Sequence, residues 1–206
     1  SQPDITESER EAVNSVLRTT YLSMGPYLNE FENSLREFTG SAHAIAVSSG
    51  TAGLHLSVRA AGWGDNDWVI TSPFSFVSST NVLLYERITP IFVDVDPTTG
   101  NIDPQQVEQA VHDLTFSRAA AQKWLPPKGV SDSGQLKGMI AIDVFGQPAD
   151  FDALRTITDP FQLKVIEDSC EALGAEYKNR KAGTLGDFGV FAFYPNKQIT
   201  TGEGGL

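Results

Sequence analysis

Cysteine is nearly missing from this chain: Cys170 is the one example in 206 residues. No internal disulfide can form, and the cytoplasm is the simplest expected compartment. Histidine is down to three scattered residues, so no set of soft ligands is available for a structural zinc, and no metal is expected. Positive charge is scarce as well. Fifteen Lys and Arg stand against 26 Asp and Glu, a formal net charge of -11. That balance argues against a nucleic-acid partner, because nothing basic and extended is present to meet a phosphate backbone. No apolar run approaches the roughly 20 residues of a membrane span and no charged-then-apolar leader is seen, so no membrane partner is expected. Two nucleotide-binding patterns are also missing. No Gly-Lys-Ser/Thr follows the Ser/Gly cluster at 48–51, and no Gly-x-Gly-x-x-Gly follows the first apolar strand.

What is present reads as repeated strand-then-helix units. Thr6-Glu7-Ser8-Glu9 has capping-box spacing before Val13, Val16 and Leu17. A second helix carries Leu28, Phe31, Leu35 and Phe38 on one face and ends at Gly40. Strands are expected at Ala44–Val47, Trp68–Ile70, Ile91–Val95, Met139–Ile142, Lys164–Glu167 and Gly189–Phe193. Helices are expected through Leu54–Val58, over Asn81–Tyr85, after Asp103-Pro104, and over Asp150–Ile157. Residues from about Thr115 to Leu136 carry paired prolines with glycines and serines, and read as a long loop or insertion. The pattern predicts an α/β domain with a mostly parallel sheet. In such sheets ligands bind beyond the carboxyl ends of the strands. The chain closes on a glycine-rich turn running into Leu206, which reads as truncation.

Three segments in those positions could carry chemistry. Ser48-Ser49-Gly50-Thr51-Ala52 lies between a strand and a helix, where free amides form an anion site. The same residues also make an ordinary helix cap. Glu167-Asp168-Ser169-Cys170-Glu171 puts carboxylates at a strand end, able to face a protonated ring nitrogen. Taken alone, they are read more readily as a cap by Asp168 or Ser169 with a solvated Glu171. Phe193-Tyr194-Pro195-Asn196-Lys197 sets a lysine after an apolar strand among aromatics, where partial desolvation would favour imine formation. Most lysines, however, are simply exposed.

Taken together, the three segments, in order, resemble the signatures of the nucleotide-sugar aminotransferases of DegT/DnrJ/StrS type, which are fold-type I enzymes dependent on pyridoxal phosphate. Gly25-Pro26, Pro73-Phe74-Ser75-Phe76 and Phe145-Gly146-Gln147-Pro148-Ala149-Asp150 match that family as well. The resemblance implies a three-layer α/β/α large domain, with residues 1–206 forming an N-terminal segment and most of that domain, cut before a smaller C-terminal one. It implies Lys197 as the lysine that holds pyridoxal phosphate and moves protons, and Asp168 as the partner of the pyridine nitrogen. Phe76 is implied to stack on the ring, Gly50, Thr51 and Ala52 to hold the phosphate, and Glu171 to lie near the ring's 3-oxygen. The implied substrates are a nucleotide-linked keto sugar and glutamate, and the implied assembly is a homodimer with shared active sites.

Two positions depart from the family. Ala192 stands where a phosphate-binding serine is common, and Asp143 where histidine is frequent. Related sugar dehydratases carry histidine at the lysine position, so Lys197 favours transamination over dehydration. A non-catalytic pyridoxal phosphate-binding regulator is the remaining alternative.

Overall fold

Strand residues of this chain alternate between two buried faces, so the sheet needs a helical layer on each side. The computed structural model describes residues 3–127 and 134–206. In chain order the elements are α1 (Glu7–Leu17), α2 (Pro26–Thr39), α3 (Gly50–Ala60), β1 (Asp67–Thr71), α4 (Ser78–Tyr85), β2 (Thr89–Phe92), α5 (Pro104–Phe116), α6 (Arg118–Ala121), β3 (Gln135–Ile142), α7 (Phe151–Thr158), β4 (Lys164–Asp168), the short pair β5 (Glu176–Tyr177) and β6 (Arg180–Lys181), and β7 (Phe188–Val190). The main sheet runs β2-β1-β3-β4-β7 with each neighbouring pair parallel. Trp68, Ile70, Met139, Ala141 and Val165 pack on the side of α5 and α7. Val69, Ile140 and Ile166 pack with Leu54, Val58, Val82 and Leu83 of α3 and α4. The three-layer expectation is therefore met, with both sheet faces covered.

Local signals set most boundaries. Thr6 and Glu9 close the capping box that starts α1. Gly40, at φ +74, ends α2 in the left-handed region that glycine enters without a steric penalty. Asp103 accepts from the Gln105 amide ahead of Pro104, and Asp150 does the same for α7 through Ala153. Among the described residues no helix is long and apolar enough to cross a membrane.

Four sequence expectations need correction. Ala44–Val47 forms no ladder; Val47 alone bridges Gly205, antiparallel, and a strand needs a continuous partner. The strand expected at Ile91–Val95 runs over Thr89–Phe92, and Val95 instead bridges Ile102 to close the Pro-Thr-Thr-Gly turn. The strand expected at Gly189–Phe193 leaves the parallel sheet at Val190. Phe191 and Phe193 then pair with the backbone of Leu206 and Gly204. The Thr115–Leu136 run is not one loop. It holds the end of α5, all of α6 capped by Ser117, and the start of β3. Asp113 fastens it by accepting from Trp124 Nε1 at 3.0 Å and Lys123 Nζ at 2.7 Å. The remainder of that expectation, residues 128–133, lies outside the described residues.

Leu54 and Leu56 are near neighbours on α3 with opposite fates, 0% and 55% exposed. Leu54→Ala should cost about 3 kcal/mol in denaturant unfolding, from lost transfer energy and the cavity left behind. Leu56→Ala should stay within about 0.5 kcal/mol.

Candidate active site

All four carboxyl-end loops that follow β1, β3, β4 and β7 converge with the start of α3 on one cavity of about 760 Å³. Each loop contributes a different chemistry. Pro73–Phe76 brings aromatics, Asp143–Phe145 an acid and an aromatic, Asp168–Glu171 carboxylates, and Ala192–Lys197 an amine. Of the residues singled out from sequence, Gly50, Thr51, Phe76, Asp168, Glu171 and Lys197 all line this cavity. Ala52 is not among the lining residues, because its amide donates to Ser49 Oγ at 3.1 Å as the α3 cap.

The α3 end of the cavity suits an anion. The Gly50 and Thr51 amides lie in the first turn, where no intrahelical acceptor exists, and the helix dipole places partial positive charge there. Close approach explains the glycine: a Cβ on Gly50 would sit 2.7 Å from Ala192 Cβ and 2.9 Å from Cys170 Sγ. Ala192 presents only a methyl group to this wall, so hydroxyls come from Thr51, Ser49 and Ser78.

The β4 end is acidic. Asp168 is buried, its Oδ2 accepting from Ser79 Oγ at 2.6 Å and its Oδ1 from the Cys170 amide at 3.3 Å. Burial and the Asp168 charge push the neighbouring Cys170 thiol well up, so it stays protonated and unreactive. Asp143 is buried nearby, and burial together with the Glu167 charge pushes its carboxyl up to about 8.

Lys197 is drawn in by a turn whose amide donates to Tyr194 O at 2.9 Å. Its side chain is 16% exposed and its Nζ donates to Glu171 Oε1 at 3.0 Å. Gln198 Nε2 donates to the Glu171 carbonyl and holds that turn. The expected withdrawal of this amine from water is present, with an opposite charge as its partner.

Sequence reasoning missed two contributors. Ser79 orients Asp168 from 89 positions away, a contact that only the packing of α4 creates. Phe145 stands on the rim at φ 53 and ψ 26, 81% exposed and edge-on to Phe74 at 5.8 Å. A non-glycine residue held there costs about 1–3 kcal/mol and is characteristic of functional loops. With Phe76, 78% exposed, it gives the cavity an aromatic mouth.

The cofactor implied by the resemblance, pyridoxal phosphate, fits this set of groups. Phosphate matches the free amides over the Gly50 approach, an aromatic ring matches the phenylalanine rim, a ring N–H⁺ matches buried Asp168, and an aldehyde matches an enclosed amine.

The model of the DegT/DnrJ/EryC1/StrS aminotransferase family matches residues 3–206. GDP-perosamine synthase of Escherichia coli O157:H7 is 35% identical over 100% of this chain and 51% of its own length. An aminotransferase structure from Psychrobacter cryohalolentis superposes with a TM-score of 0.84 at 33% identity, covering 100% of this chain and 47% of that one. Spr1654 from Streptococcus pneumoniae in its PLP form gives a TM-score of 0.82 at 28% identity, covering 100% and 51%. The chain spans about half the length of the curated relatives it matches.

Gly50→Ala should destabilise the fold by about 1–3 kcal/mol through overpacking. The double variant Gly50→Ala/Ala192→Gly should recover part of that loss in denaturant unfolding, since the nearest obstructing atom is the Ala192 methyl.

Proposed function

The chain belongs to the DegT/DnrJ/EryC1/StrS aminotransferase family, and we propose that it is the cofactor-binding half of a pyridoxal phosphate-dependent aminotransferase. In this reading the whole protein moves an amino group from glutamate to a keto group of a nucleotide-linked sugar. The observation that carries the proposal is the meeting of an enclosed amine, a buried carboxylate and a helix N-terminus in one cavity, from three loops far apart in sequence.

When bound, pyridoxal phosphate supplies a carbonyl for the donor amine and a ring that accepts the electron pair released at the substrate carbon. The residues have separate tasks. Gly50 and Thr51 would hold the phosphate through the free amides of the first turn of α3. Asp168, held by Ser79, would pair with the ring nitrogen and favour its protonated form. Phe76 would supply a flat apolar surface for the ring. Lys197 Nζ would hold the group, and as an amine it would serve as the acid and base that moves the proton. Glu171, within 3.0 Å of Lys197 Nζ, orients the amine and would be among the residues that hold the cofactor, on the side of its ring oxygen.

A homodimer with shared sites completes the proposal. Its support is the open, aromatic mouth of the cavity. Residues 1–206 then form an N-terminal segment and most of the large domain. The cytoplasm is the proposed compartment, where glutamate and nucleotide sugars are available.

The full-length protein mixed with pyridoxal phosphate should develop a visible absorption band that glutamate bleaches. Lys197→Ala should lack that band and lose at least about 100-fold in amino transfer, the loss expected for a missing acid–base group. A band that appears equally in Lys197→Ala would overturn the assignment of Lys197. A band that glutamate leaves untouched would overturn the donor.

A further inference from the structure

The carboxyls of Asp143 and Glu167 meet on a single hydroxyl. Ser169 Oγ lies 2.6 Å from Asp143 Oδ2 and 3.0 Å from Glu167 Oε1. Asp143 is 1% exposed, and Glu167 and Ser169 are 0% exposed. Among the described residues no ion pair involves either acid. A serine carries one hydroxyl proton and can donate to only one of its two neighbours. Two ionised carboxylates would leave the other oxygen facing a lone pair. One additional proton completes the row.

Its location follows from counting donors. Glu167 Oε1 accepts from the Gly183 amide at 2.6 Å as well as from Ser169, and its Oε2 accepts from the amides of Leu185 at 2.7 Å and Gly186 at 3.1 Å. A carboxylate has about four lone-pair sites, and all four on Glu167 face donors. Among the described residues Asp143 accepts one amide, that of Ala149 at 3.0 Å, on Oδ1. Its Oδ2 has room for a proton.

We propose that Asp143 is a neutral carboxylic acid in the folded protein, donating through Ser169 to the Glu167 carboxylate, and that this shared proton positions Asp168. Glu167 and Ser169 flank Asp168 in the chain, and the Asp143 amide donates to the Asp168 carbonyl at 3.1 Å. The backbone of Asp168 is thereby held from both sides while its carboxyl points toward Ser79 and the cavity. Asp143 acts through Asp168 and is a positioning residue.

The ionisable surroundings fit this protonation. Glu167 opposes a second negative charge from β4, and Asp168, Glu171 and Glu203 add carboxylates along the same cavity. Lys197 shares that cavity but is paired with Glu171. Asp150, at the start of α7, is engaged by Tyr177 at 2.6 Å, and Asp187, beside the 183–186 turn, is paired with Arg155 at 3.0 Å. Burial and the Glu167 charge hold the Asp143 proton up to about pH 8.

The sign is fixed by linkage. The folded carboxyl titrates above its unfolded value, so its stabilising contribution is full below about pH 4 and is lost as pH rises through about 8. Asp143→Asn keeps an acceptor for Ala149 and gives Ser169 an N–H that does not titrate.

The test is thermal unfolding of the full-length protein without added cofactor, from about pH 6 to about pH 9.5. The wild-type melting temperature should fall by several degrees across that range. Asp143→Asn should fall less and overtake wild type at the alkaline end. A difference between the two that is constant with pH would overturn the proposal.

Infrared difference spectra of the wild type alone test it without any variant. A carboxylic-acid C=O band present near neutrality should disappear at alkaline pH, and its absence at neutrality would overturn the proposal too. The positioning role rests on Asp168 as a cofactor contact. Above about pH 8.5, Asp143→Asn should bind pyridoxal phosphate several-fold more tightly than wild type, with equal affinity near neutrality. Equal affinity at both pH values would overturn that role. The thermal and infrared results hold or fail without reference to the cofactor.

Discussion

The site depends on burying consecutive acidic residues at the end of a central strand. Each ion taken out of water costs several kcal/mol unless donors replace its hydration. The pleat of β4 separates them. Val165 faces the α5–α7 layer and Ile166 the α3–α4 layer, so Glu167 turns toward the 183–186 turn and Asp168 toward Ser79 on α4. Glu167 is satisfied by three main-chain amides and a hydroxyl, and so fastens the turn ahead of β7. Asp168 is left with fewer donors, and its carboxylate is available to the cavity.

The rest of the cavity complements that charge. Partial positive charge at the N-terminus of α3 and the acidic end of β4 both line it. There Lys197 is held by Glu171. This polarity suits a ligand that is anionic at one end and cationic at the other, carried on a flat apolar body. The phenylalanine rim supplies the surface for that body, and the raised φ of Phe145 shows backbone strain concentrated at the opening.

Legibility of the fold varied with the range of the interaction that decided each element. Caps, turn residues and apolar periodicity act within a few positions, so Thr6, Gly40, Asp103 and Asp150 marked helix ends correctly. The interior strands were recognised because burial on both faces selects continuous β-branched runs. Edge elements were not. Ala44–Val47 and Gly189–Phe193 have strand composition, yet their pairing is decided by the backbone of Gly204–Leu206. The run after Thr115 looked like a loop because its prolines and glycines are local, whereas the bonds of Asp113 to Lys123 and Trp124 that order it are tertiary.

By itself the sequence determined the alternation of strands and helices, the helix-start position of Gly50, the strand-end position of Asp168, and the family that these segments and the Lys197 segment resemble. Each of these rests on residue type and spacing along the chain. Only the tertiary structure decided that the segments share one cavity, that Ser79 orients Asp168, that Lys197 pairs with Glu171, and that Asp143 and Glu167 meet on one hydroxyl. Those contacts join residues tens of positions apart. Their energies depend on burial and on the number of donors within hydrogen-bond reach, neither of which exists until the sheet has brought its carboxyl ends together.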